Sequence, residues 1–148
     1  MDSEKLMRWM RMCEYGASLF SKCGKRQYFA FVLDAHGRVI GTGYNGSPPG
    51  RPECIDGGCP RFQQGSAPGS NYDNCVSIHA EENALLFSDF TARRGGALIV
   101  NGTPCWGCAK KVAGSGVADF AYLPDDSYAD LGRCVDLITS CGIRAWPL

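Results

Sequence analysis

Two short stretches of this chain carry donors for a single metal ion, and any fold it adopts has to bring them together. Ser77-Ile78-His79-Ala80-Glu81-Glu82-Asn83-Ala84-Leu85-Leu86 offers an imidazole and, two residues on, a carboxylate. Thr103-Pro104-Cys105-Trp106-Gly107-Cys108-Ala109-Lys110 offers two thiols at a three-residue offset, just inside a helix that begins with proline.

Zinc takes nitrogen and sulfur donors in tetrahedral geometry, and a catalytic site leaves one of the four positions to water. His79, Cys105 and Cys108 are three ligands and leave that position free. Thr103 is expected as the helix N-cap with Pro104 in the first helical position, which puts both sulfurs on one face at the positive end of the helix. That end favours thiolates, and bound zinc lowers the pKa of a water from about 15.7 toward about 7. Glu81 does not share a helical face with His79 but can project into the site near the helix start, so it reads as a proton carrier rather than a ligand. Glu82 reads as a surface carboxylate. A lone Cys-x-x-Cys would equally suit a redox pair or half of a structural zinc finger. The accompanying His-Ala-Glu and Pro104 favour catalysis.

The elements around these motifs follow from periodicity. Residues 3–22 place Leu6, Trp9, Met10, Cys13, Ala17 and Phe20 on one helical stripe. Tyr28 to Leu33 and Arg38 to Tyr44 favour strand, with Asp34-Ala35-His36-Gly37 as the hairpin turn and His36 a solvated turn residue. From Asn45 to Asn74 the chain is rich in Gly, Pro, Ser and Asn, with Pro48-Pro49-Gly50 and Pro68-Gly69 as turn signals and no helical or strand period. So long a loop is functional or tied down. A second helix is expected over 78–87 with Ala84, Leu85 and Phe87 available for the core. A buried strand over 97–100, the cysteine helix over about 104–113 and a strand over 118–123 come next. A capping box Ser127-x-x-Asp130 should open a fourth helix that ends at Gly142, before a last strand over 143–146. Strands alternating with helices imply a three-layer α/β sheet.

At 148 residues, 45% of them hydrophobic, the chain fits one domain with an ordinary core. Fifteen basic residues against fifteen acidic give no global field to attract a nucleic-acid backbone, so a polymer substrate is disfavoured, although a local patch could still hold one phosphate. The charged start Met1-Asp2-Ser3-Glu4-Lys5 has no apolar run of signal length behind it, and no stretch reaches the roughly 18 apolar residues of a membrane span. A cytosolic protein is therefore expected, whose nine cysteines serve as metal ligands and buried thiols.

The paired motifs form the H-x-E…P-C-x-x-C signature of zinc nucleobase deaminases, and more closely the chain resembles the deoxycytidylate (dCMP) deaminase family of the cytidine deaminase-like superfamily. Gly43-Tyr44-Asn45-Gly46, Ile78-His79-Ala80-Glu81-x-Asn83-Ala84 and Pro104-Cys105-x-x-Cys108-Ala109-Lys110 are similar to its segments, over a likeness that runs from about Cys23 to the last strand. The resemblance implies an α/β/α cytidine deaminase-like fold on a five-stranded mixed sheet. It also implies conversion of dCMP and water to dUMP and ammonia, and a homo-oligomer, commonly a hexamer, activated by dCTP and inhibited by dTTP. It gives Asn45 a hydrogen bond to the sugar or phosphate, where the residues alone suggest an ordinary turn asparagine. Some members carry cysteines in the places of Cys23, Cys54, Cys59 and Cys75, which here either form a second, structural zinc site pinning the loop or are free buried thiols. Val76-Ser77 stands where many members have arginine and threonine, and Gly24-Lys25-Arg26-Gln27-Tyr28-Phe29-Ala30 departs from the common pattern after Cys23. Lys25, Arg26 and Arg51 are candidates for a 5′-phosphate contact. Deamination of a 5-substituted or otherwise modified cytosine nucleotide, cytidine, guanine or a tRNA adenosine is the rival enzyme reading. A zinc-stabilised binding module is the rival outside enzymes.

Overall fold

In the computed structural model, which describes residues 1–67, 70–125 and 127–148, a five-stranded sheet is buried on both faces. Strands β1 (Phe29–Leu33), β2 (Val39–Tyr44), β3 (Ala97–Val100), β4 (Asp119–Tyr122) and β5 (Arg144–Pro147) lie in the order β2-β1-β3-β4-β5. β1 runs antiparallel to β2 and β3, while β3, β4 and β5 are mutually parallel, so the sheet is mixed. Every residue of β1, β3 and β4 is buried, as expected of strands covered on two sides.

Alternation along the strands divides the core in two. Phe29, Phe31, Leu33, Ala97, Ile99 and Ala121 face helix α1 (Ser3–Phe20), which presents Leu6, Met10, Cys13 and Ala17. Ala30, Val32, Leu98, Val100, Phe120 and Tyr122 face the other way, toward α3 (Ala80–Leu86), α5 (Trp106–Ala113) and α6 (Leu131–Ser140). The three-layer α/β/α expectation thus holds strand by strand.

Four local expectations are corrected. The segment 45–74 is not without structure: 3₁₀ turns at Cys54–Asp56 and Tyr72–Asn74 flank α2 (Pro60–Gln63), each too short to leave a period in the sequence. Its second turn signal, Pro68-Gly69, lies outside the described residues. A further short helix, α4 (Phe90–Arg93), follows α3 and is capped by the Asp89 carboxylate, which accepts from the Ala92 N–H. The Ser127/Asp130 capping box does not form: Asp130 makes no side-chain cap bond, and the Ser127 hydroxyl donates to Asp125. Phe20 and Phe87 are exposed rather than in the core.

One close approach positions the chemistry. A Cβ on Gly43 would fall 2.3 Å from the Ala84 nitrogen and 2.4 Å from the Ala80 carbonyl, and one on Gly41 would fall 2.8 Å from the Ala84 carbonyl. Helix α3 therefore rests its main chain directly on the main chain of β2, which glycine alone permits. The Asn83 side chain fastens the same junction by donating to the Tyr44 carbonyl at 3.0 Å.

Candidate active site

His79 is the N-cap of α3 and Cys105 the N-cap of α5, so the two donor stretches meet at two helix starts. This revises the expected capping. Thr103 donates its hydroxyl to the Leu123 carbonyl, while the Cys105 sulfur takes the cap role and accepts from the Cys108 N–H at 3.4 Å. The sulfurs are still held at the positive end of the helix.

The Sγ atoms of Cys105 and Cys108 each lie 3.4 Å from His79 Nδ1. Zinc–sulfur and zinc–nitrogen bond lengths joined at a tetrahedral angle separate S from N by roughly 3.5 Å, so the three side chains fit one zinc ion as they stand. Among the described residues they are the only group of three or more such donors drawn within 4.8 Å. The Cys105 thiol is pulled down to about 3 by hydrogen bonding with Cys108 and then His79. The Cys108 thiol is pushed up by its bond with Cys105 and by burial.

Glu81 sits in the first turn of α3, 4% exposed. Burial raises its carboxyl above the usual range, with the His79 charge opposing. Glu82 turns outward, yet it is no idle surface group. It pairs with Lys111 at 2.9 Å and links α3 to α5, the two helices that carry the donors.

His79, Glu81 and Cys105 line a cavity of about 480 Å³, of the size small-molecule sites adopt. It opens at the edge of the sheet where β2, β3 and β4 end and β1 begins, marked by Asn45, Val100, Asp125 and Tyr28. Tyr28, Tyr72, Tyr128 and Val100 supply flat and apolar wall.

The remaining candidates divide. Asn45 lines the cavity, but its side chain is largely committed: Oδ1 accepts from the Tyr28 N–H at 2.7 Å and the Ser21 hydroxyl at 2.5 Å, and Nδ2 donates to the Arg26 carbonyl at 2.7 Å. Lys25 and Arg26 line the cavity; Lys25 donates to the Ser66 carbonyl, and Arg26 pairs with Asp125 at 2.9 Å. Arg51 lies on an exposed turn away from the cavity lining.

The loop cysteines gather beside the same wall, to which Cys23 and Cys75 contribute directly. Cys59 Sγ is 3.9 Å from Cys75 Sγ and also contacts the Cys54 thiol. The Cys54 sulfur accepts from the Gly24 N–H at 3.4 Å, and backbone N–H groups of Val76 and Phe62 favour the Cys59 thiolate. At Cys59 burial raises the pKa, but these bonds outweigh it and the net shift is downward.

Sequence reasoning missed Arg61, Tyr72, Asp125 and Tyr128, all on the cavity wall. Arg61 follows Pro60 at the start of α2, and proline after a cysteine N-cap was the one signal that could have placed it.

Donor set, buried carboxyl and three-layer sheet together have the layout of a His/Cys/Cys zinc site with a carboxyl beside it. The family described as the cytidine and deoxycytidylate deaminase zinc-binding region matches residues 3–123, and the chain belongs to that family. Deoxycytidylate deaminase of Mycobacterium phage D29 is 40% identical over 107 residues, 69% of this chain and 81% of the phage protein. Deoxycytidylate deaminase of Schizosaccharomyces pombe is 37% identical over 125 residues, 84% of this chain but 38% of the yeast protein. The chain thus spans well under half of that relative. The crystal structure of dCMP deaminase from cyanophage S-TIM5 in complex with dCMP and dUMP superposes with a TM-score of 0.74 at 24% identity, covering 100% of this chain and 99% of the other. Among the described residues no helix is long and apolar enough to cross a membrane.

Proposed function

We propose that the protein is a zinc-dependent hydrolase that converts dCMP and water to dUMP and ammonia. The observation that carries this reading is the junction of the His79, Cys105 and Cys108 donors with buried Glu81 in one nucleotide-sized cavity. Those three side chains would hold the ion, which when bound supplies Lewis-acid activation of a water at neutral pH. Glu81, with its carboxyl raised by burial, takes a proton from the attacking water and delivers it to ring N3 as oxygen bonds to C4. It then carries the second water proton to the exocyclic amine, the C–N bond breaks, and ammonia leaves as the C4 carbonyl forms. The aromatic walls suit a planar base, and the cationic rim suits a monophosphate.

Equal numbers of acidic and basic residues favour a small nucleotide over a nucleic-acid polymer. Family resemblance supports a homo-oligomer, commonly a hexamer, with dCTP and dTTP as effectors, and nine free thiols suit the reducing cytoplasm. The gathering of Cys23, Cys54, Cys59 and Cys75, with the Cys59 and Cys75 sulfurs 3.9 Å apart, supports a second, structural zinc that would draw the four together.

Ammonia release from dCMP, dCTP, cytidine and guanine, with and without added dCTP, tests the substrate. Turnover should be fastest on dCMP. A higher rate on guanine or cytidine would sink the nucleotide reading, and two zinc ions per chain, rather than one, would support the second metal site.

A further inference from the structure

We infer that Arg61 is the principal anchor for the phosphate of the nucleotide substrate, an assignment that rests on the deaminase reading above. Arg61 is 8% exposed and lines the cavity that His79, Glu81 and Cys105 also line. Its Nε donates to the Ser70 carbonyl at 2.7 Å, and its guanidinium carbon lies 4.5 Å from the centre of the Tyr72 ring. Its backbone is held as well, since its carbonyl accepts from the Ser66 N–H.

No carboxylate pairs with it among the described residues, and its two terminal nitrogens make no hydrogen bond there. Its positive charge favours the thiolate of nearby Cys75, and with no carboxylate beside it a buried guanidinium stays costly unless an oxyanion comes to meet it. The side chain is held at Nε and over the Tyr72 ring, so of its fork the two terminal nitrogens remain for a ligand in the cavity that Arg61 lines. That pair is the part that takes a phosphate in bidentate fashion.

The competing cations are less suitable. The Arg26 guanidinium is already neutralised by Asp125 at 2.9 Å and also approaches the Tyr28 hydroxyl. Arg51 is exposed and off the cavity. Lys25 spends one ammonium proton on the Ser66 carbonyl and keeps two, so it assists as a point charge. Both Lys25 and Arg61 are thereby pinned to carbonyls of the same loop, at Ser66 and Ser70.

The test compares Arg61→Gln and Arg61→Lys with the unaltered protein on dCMP and on deoxycytidine, which lacks the phosphate. Calorimetric affinity for dUMP and zinc content are measured alongside. Two charge-assisted hydrogen bonds correspond to roughly 100-fold. Arg61→Gln should therefore lose about that factor in kcat/KM for dCMP, mainly through KM, and a similar factor in dUMP affinity. Deoxycytidine turnover and zinc content should stay unchanged, and Arg61→Lys should fall between. Equal losses on dCMP and deoxycytidine would show that Arg61 only shapes the loop, and unchanged dUMP affinity would overturn the assignment outright. If the unaltered protein shows no preference for dCMP over deoxycytidine, the substrate reading falls by itself, and dUMP affinity still decides whether Arg61 holds the phosphate.

Discussion

The two helix starts that hold His79 and Cys105 and the segment around α2 that holds Arg61 build parts of one cavity by different means. At the helix starts, donor positions follow from short local spacing, and each side chain falls where its helix puts it. In the loop, positions follow from bonds between residues far apart in sequence, such as Lys25 to Ser66 and Asn45 to Tyr28. The chemistry is thus written locally and the choice of substrate non-locally, which predicts that the two respond differently to substitution.

The largest effect should come from Glu81→Gln. Zinc content should be retained while ammonia release falls by about 10²–10⁴-fold on every substrate, phosphorylated or not; near-normal turnover would remove Glu81 as the proton carrier. Next comes Gly43→Ala, which forces a methyl against the backbone of α3. It should cost about 1–3 kcal/mol of stability and lower kcat without changing the ratio of dCMP to deoxycytidine turnover, read by denaturant unfolding and steady-state kinetics. A change in that ratio would mean that α3 selects substrate as well as holding donors.

Cys59→Ser probes the other region. If the sulfurs hold a metal, zinc per chain should fall from two to one, the melting temperature should drop, and KM for dCMP should rise more than kcat falls. An unchanged zinc count would make these cysteines ordinary buried thiols.

The smallest catalytic effect is expected of Asp119→Asn, at the start of β4 and so at the opposite end of that strand from the cavity. Burial alone would raise the Asp119 carboxyl, but Arg144, the terminal amine of Met1 and Trp146 more than offset it and its pKa is lowered. A depressed folded-state pKa adds stability that is fully present above the ordinary value near 3.8 and is lost as pH falls through the folded value. Asp119→Asn should therefore be less stable at pH 7, with the difference from the unaltered protein vanishing well below pH 3.8 and kcat unaffected throughout. A difference that persisted in acid would place the contribution of Asp119 in its neutral hydrogen bonds.

The same contrast governs what could be read from the sequence. β3 was legible to the residue, because four apolar residues between turns have one reading. His79, Cys105 and Cys108 were legible because a metal demands fixed donor types at fixed offsets. The capping of α5 differs from the expectation, since Thr103 and Pro104 form a good local signal that loses to a hydroxyl bond with Leu123, just past the end of β4. Arg61 and Tyr72 left no periodic trace, because a turn of helix and a 3₁₀ turn have no period, and Pro60 after Cys59 was the one local mark near Arg61. Arg51, expected at a 5′-phosphate, stands off the cavity lining.

The seating of α3 on bare glycine backbone in β2 bears on how such a protein can vary. Where one element is located against another by main chain rather than by interlocking side chains, the alignment is a fixed stop that does not depend on which hydrophobic residues fill the interior. Core side chains can then exchange freely among relatives while His79 and Glu81 keep their station, so that two chains sharing little of their interior could still share an intact reaction centre.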